Sequence, residues 1–139
     1  MRLIRLVILV VGLAMLKQLP AEVEDKSKEA PKAVPKKAFY YELSPSIVVN
    51  LNKGGKYARC DVQMMTRGEG QLEVLELHAP ALRNEFLFLI PEFDGTTLKK
   101  NKGKEKLRKK ALKASQKLLK KLTGKDVVDG IYFTTFYVQ

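Results

Sequence analysis

The sequence predicts an α/β (α+β) domain in the order β-β-α-α-β, preceded by an apolar segment and a tether. Three observations carry this. Tyr57 to Thr66 alternates apolar and polar residues with a period of two. Two later stretches carry apolar residues at spacings of three and four, the mark of helices with one buried face. The last stretch, Val127 to Val138, is β-branched and aromatic throughout.

Residues 1–19 read MRLIRLVILVVGLAMLKQL, with Arg2 and Arg5 ahead of an uninterrupted apolar run from Leu6 to Leu16. As helix that run is about 16 Å long, against a hydrocarbon core of about 30 Å. Leu3 to Leu19 reaches about 26 Å, with Arg5 and Lys17 extending toward opposite head-group layers. A membrane anchor and a cleaved secretory signal both fit this pattern. Both place the remainder of the chain outside the cytoplasm, because positive residues before the run keep the N-terminus inside.

Residues 20–38 hold three prolines, alternating charges and no aromatic residue. Such a composition cannot bury enough apolar surface to order itself. It reads as a tether spanning roughly 55–60 Å when extended.

The domain is expected over residues 39–139. Phe39 to Leu43 and Ser46 to Leu51 form one or two strands, with Pro45 limiting the first part to an edge or a bend. Asn52 to Lys56 is a turn, its glycines supplying positive φ. In the following strand Ala58, Cys60, Val62 and Met64 share the apolar face, and the pair makes a hairpin. Leu72, Leu75, Ala79, Leu82, Phe86 and Leu89 form the first helical stripe, which Pro80 kinks or divides. Thr97 is the expected cap of the second helix. Its stripe is Leu107, Ala111, Ala114, Leu118 and Leu122, with Leu112 and Leu119 beside it, and Thr123-Gly124 ends it. The final strand is expected to carry apolar neighbours on both faces and to be buried. The helices cover one face of the sheet.

The net charge of +11 is concentrated. Lys99 to Lys125 holds thirteen Lys and Arg against Glu105 alone, so that segment carries +12 and the rest of the chain −1. Lys106, Lys109, Lys110, Lys113, Lys117, Lys120 and Lys121 lie away from the expected core stripe. They form either a solvated face or a docking face for an acidic partner or anionic head groups. Nucleic acid is not expected as a partner, since an exported chain does not meet it. A basic nucleic-acid-binding domain is the contrasting alternative, with salt-sensitive binding as its mark.

Catalytic patterns are sparse. Cys60 is the sole cysteine and His78 the sole histidine, so no multi-cysteine zinc site fits within the chain. Neither Gly54-Gly55-Lys56 nor Gly124-Lys125 completes a phosphate-binding loop. Glu73 and Glu76 lie one helical turn apart, as on many wet faces. No enzyme activity, metal or cofactor is implied.

Tyr41-Glu42-Leu43 with Ile47-Val48-Val49-Asn50-Leu51, then Tyr57 to Met64, then Pro80-Ala81-Leu82-Arg83-Asn84 before the apolar Phe86 to Ile90 resemble, in that order, the FliL family of flagellar basal-body-associated proteins. Thr97 and Gly103-Lys104-Glu105-Lys106-Leu107-Arg108 resemble the family's opening of its long helix. Val128 and Ile131 to Gln139 resemble its aromatic terminus. The resemblance implies a stomatin-like fold and a non-enzymatic part in flagellar rotation and motility. It implies flagellar motor stator units as partners, self-association into a ring, and a place at the inner membrane with the domain in the periplasm. The ring contact is expected at the sheet edge or the helix face opposite it. A stomatin-like membrane scaffold without a flagellar role is the alternative within the same fold.

Overall fold

The computed structural model describes residues 36–139. The apolar segment 1–19 and residues 20–35 of the tether lie outside the described residues. Four strands and four α-helices follow in order: β1 (Phe39–Glu42), β2 (Ile47–Asn50), β3 (Tyr57–Thr66), α1 (Gln71–Leu77), α2 (Ala79–Leu89) running on into a single 3-10 turn (Ile90–Glu92), α3 (Gly95–Leu98), α4 (Asn101–Thr123) and β4 (Gly130–Val138). The expected order holds, with the first strand in two pieces and an extra helical turn, α3, ahead of the long helix.

β3 is the centre of an antiparallel sheet. β1 and β2 lie end to end along one side of it, pairing Phe39 with Thr66 and Asn50 with Tyr57. Between them stands a cis Ser44–Pro45 bond, and Leu43 N–H still donates to Val62 at 2.9 Å. β4 pairs along the other side, from Ala58 opposite Val138 to Met65 opposite Gly130. The register slips by one residue at Asp61/Val62, which leaves Thr134 as the extra residue of a bulge.

The alternation in β3 sorts its side chains as expected. Ala58, Cys60, Val62 and Met64 are sealed on the inner face. They meet Leu82 and Phe86 of α2, Leu107, Ala111 and Leu119 of α4, and Val127, Val128 and Ile131. Burial of this apolar surface is the main favourable contribution to the fold.

Pro80 does not kink a continuous helix; it separates two. α1 and α2 part at His78, and Pro80 falls in the first turn of α2. Its missing N–H has no intrahelical partner there, so nothing is lost.

The start of α4 departs from expectation. Thr97 is no cap: it lies inside α3, which Asp94 caps by accepting the Thr96 N–H at 2.8 Å. The residue at the N-cap of α4 is Lys100, in an extended conformation and with no side-chain cap bond. The two helices instead meet through Gly103, where a Cβ would stand 2.0 Å from the Thr97 carbonyl oxygen. Only glycine allows the backbones so close. At the far end Gly124 adopts φ +74° and donates to the Lys120 carbonyl at 2.8 Å, as the sequence led one to expect.

The buried stripe of α4 is Gly103, Leu107, Ala111, Ser115 and Leu119, every fourth residue. Ala114 and Leu118 are only half-buried beside it, and Leu122 stands 47% exposed. The helix is therefore rotated from the expected stripe. Gly103 lies in this row because only the absence of a Cβ lets α4 approach α3 so closely.

Candidate functional site

Two faces of the domain carry its outward chemistry. The first is the solvent side of α4. Rotation of the helix toward Gly103, Leu107, Ala111, Ser115 and Leu119 turns all seven candidate lysines out: Lys106, Lys109, Lys110, Lys113, Lys117, Lys120 and Lys121 are exposed. The helix as a whole has nine lysines and Arg108 against the single acid Glu105. Three of the seven meet a carboxylate among the described residues. Lys109 lies 3.9 Å from Glu105, Lys120 lies 3.4 Å from Asp126, and Lys110 pairs with Glu92 while standing over the Phe93 ring. Such exposed pairs contribute little to stability, so the face remains strongly cationic.

Arg108 is set apart from this row. It grips Glu105 through two bonds of 2.7 Å and donates to the Ile131 carbonyl at 3.4 Å. The arginine bond holds the Glu105 carboxyl below its usual range, and the same bond raises Arg108 in turn. The pair lies on the side of α4 that faces β4. Between them runs an open groove of about 400 Å³, floored by Phe133 and Phe136, with Lys104 5.7 Å over the Phe136 ring.

The second face is the outer side of the sheet. Here the expectation of burial for the last strand fails. Tyr132 is 42% and Tyr137 53% exposed, and Tyr40 and Val48 join them. All four helices contribute to the other face, so among the described residues nothing covers this one. The tyrosines pair across strands instead: Tyr40 with Tyr132 at 6.2 Å and Tyr57 with Tyr137 at 6.3 Å between ring centres. Such cross-strand aromatic pairs stabilise a sheet. Asp61 lies among them, its carboxyl held low mainly by a hydrogen bond from Ser46 and then one from Thr135. Composition marked these tyrosines as strand formers; which face they take depends on where the helices pack.

The residues weighed for catalysis are dispersed. His78 stands at the junction of α1 and α2, where its backbone N–H donates to Val74 and its carbonyl accepts from Leu82. Cys60 is fully enclosed, and burial raises its thiol to about 12, so it is inert as a nucleophile at neutral pH. Glu73 and Glu76 are exposed on α1. The Gly54 turn has positive φ as expected, but Asp94 fills the space beside it, and a carboxylate there would repel a phosphate. Among the described residues no cluster of His, Cys, Asp and Glu suits a metal ion, and no helix is long and apolar enough to cross a membrane.

The arrangement is thus one of surfaces on a rigid scaffold. A protein-family profile described as "Flagellar basal body-associated protein FliL" matches residues 40–139. The chain belongs to the FliL family. The match begins in β1 and ends one residue beyond β4, so it takes in the sheet, all four helices and both outward faces of this FliL-family domain. FliL membership associates the protein with the flagellar basal body. A search of curated proteins found no match.

Proposed function

We propose that this FliL-family protein is a non-enzymatic component of the flagellar motor that supports the stator units during rotation. The observation that carries the reading is the family match across the entire folded domain. The domain works on the periplasmic side of the inner membrane. Residues 1–19 precede it as a single-pass anchor or as a removed signal, and residues 20–38 tether it. Copies assemble side by side into a ring around the stator. Support for a strand-edge contact comes from β4, which among the described strands has β3 alone as a neighbour. The Thr134 bulge blunts part of that edge, as bulges do where uncontrolled strand addition must be avoided. The seven candidate lysines of α4 are exposed and remain available to a partner.

Insertion of a periplasm-competent fluorescent protein after Ser27 tests this. The site lies in the tether and survives either fate of the N-terminal segment. Foci at flagellar bases that vanish in stator-deleted cells are the expected outcome. Uniform envelope fluorescence would remove the motor role and leave a membrane scaffold of the same fold. A cytoplasmic signal would overturn the export reading.

A further inference from the structure

We infer that the lysine row of α4 seats the domain flat on an anionic phospholipid surface. Lys102, Lys106, Lys109, Lys113, Lys117 and Lys120 follow one another at spacings of four, three, four, four and three. On a helix such spacings form a single file, here about 27 Å long. All six side chains are exposed. A straight file on a rigid helix can touch a plane along its whole length.

The residue types select the kind of anion. Every member of the file is lysine. An ammonium group on a flexible stem is a point charge that needs no fixed acceptor geometry, whereas guanidinium suits fixed bidentate acceptors. Laterally mobile head groups present no fixed geometry. The helix's one arginine, Arg108, is already engaged by Glu105 and the Ile131 carbonyl. The file also lacks what a protein interface concentrates at its centre: aromatic residues, Met and Arg, with Lys depleted. Single-stranded nucleic acid calls for stacking platforms among the cations. The exposed tyrosines of this domain belong to the sheet, and the α4 file holds none. Anionic head groups need only the charge, and each lysine brought to such a surface strengthens attachment on the order of fivefold.

The inference does not depend on the motor reading. A bilayer with anionic lipid is enough for it, whichever proteins lie nearby. The test uses the full chain reconstituted in vesicles, labelled with a fluorophore at Lys113→Cys or, on the opposite face, at Val48→Cys. Cys60 is wholly buried and escapes the label. The vesicles carry a head-group quencher in phosphatidylcholine, with or without phosphatidylglycerol. Docking predicts quenching at position 113 several-fold above that at position 48, present only with phosphatidylglycerol. It also predicts that about 0.5 M salt abolishes the difference, because surface charge is then screened within a few ångströms. Lys106→Gln, Lys109→Gln and Lys117→Gln together should weaken docking by on the order of a hundredfold, while the matching Arg replacements preserve it. Equal quenching at both positions, or quenching indifferent to phosphatidylglycerol, overturns the proposal. So does a label at position 113 that responds to an acidic peptide or an oligonucleotide but not to anionic vesicles. Loss of flagellar foci with docking intact would remove the motor reading alone.

Discussion

α4 and β4 are neighbours in the chain and on the core, yet they face outward with different chemistry. α4 buries a narrow row of small and aliphatic residues, Gly103 to Leu119 by fours, and turns lysines out. β4 buries Ile131, half-buries Phe133, Phe136 and Val138, and turns out Tyr132 and Tyr137. A helix satisfies its backbone internally, so its outer side can be almost wholly charged without loss of structure. A strand relies on cross-strand contacts, and tyrosine supplies area on a face that stays wet. The difference teaches that one domain offers two modes of association. The lysine side acts through charge, at a distance and under the control of salt. The tyrosine side offers contact area and acts only on touch.

The contrast is sharpest inside, where both elements depend on the same core. Leu107→Ala removes a fully buried side chain from the centre of the α4 row. A loss of about 2–5 kcal/mol is expected, read as a lower urea midpoint with an unchanged slope. The sheet side of that core can be probed without removing volume. The Cys60 thiol is raised to about 12 by burial, with Asp61 adding to the effect. In the unfolded chain it ionises near its ordinary value of 9.0. The associated stability is therefore complete below pH 9 and is lost as pH rises from about 9 to about 12, since only the unfolded chain releases its proton in that window. At pH 10.5 this single group should cost about 2 kcal/mol relative to pH 7. Denaturation of the protein and of Cys60→Ala at both pH values isolates the component, because other titrating groups are common to both. An equal alkaline loss in the two proteins would show the thiol to be more accessible than its position indicates.

The buried side of this contrast was legible in sequence to different degrees in the two elements. In β3 the period-two alternation puts Ala58, Cys60, Val62 and Met64 on the buried face, as observed, while the added burial of Met65 and Thr66 at its end breaks the alternation. An interruption at Pro80 and the stop at Gly124 followed from local backbone chemistry alone, and the structure takes division rather than a kink. In the α4 stripe Leu107 and Ala111 are buried as expected, and beyond them the buried row shifts by one position, to Ser115 and Leu119. Hydrophobicity favours Ala114, Leu118 and Leu122, whereas the close approach to α3 fixes Gly103 on the buried side, and residues at intervals of four from it include Ser115 and Leu119. Thr97 was a plausible cap by type, but Asp94 three residues earlier already caps the turn that contains it. The tyrosines of β4 have a composition that suits either face, and only the position of the helices decides. The exposure of the lysine row, in contrast, was legible: nearly every position away from the core is lysine, so a small rotation of the helix leaves the same seven outside.

The smallest expected effect bears most directly on function. Lys113→Ala and Tyr137→Ala both remove exposed side chains, and each should change stability by only about 0.5 kcal/mol or less. Lys113 meets no carboxylate among the described residues, and alanine favours helix, so its loss relieves repulsion within the row. A slight gain is expected there, largest at low salt and fading as salt is added. Tyr137 loses its ring contact with Tyr57 6.3 Å away, so a slight loss is expected, indifferent to salt. Urea midpoints of the two variants across a salt series decide the matter. Opposite signs with salt dependence in the lysine variant alone would establish that the two faces differ in physics as well as composition. A stabilised core with a weakened surface function is then the expected signature of lysine loss, because a row of like charges held on one helix costs stability that folding alone does not require.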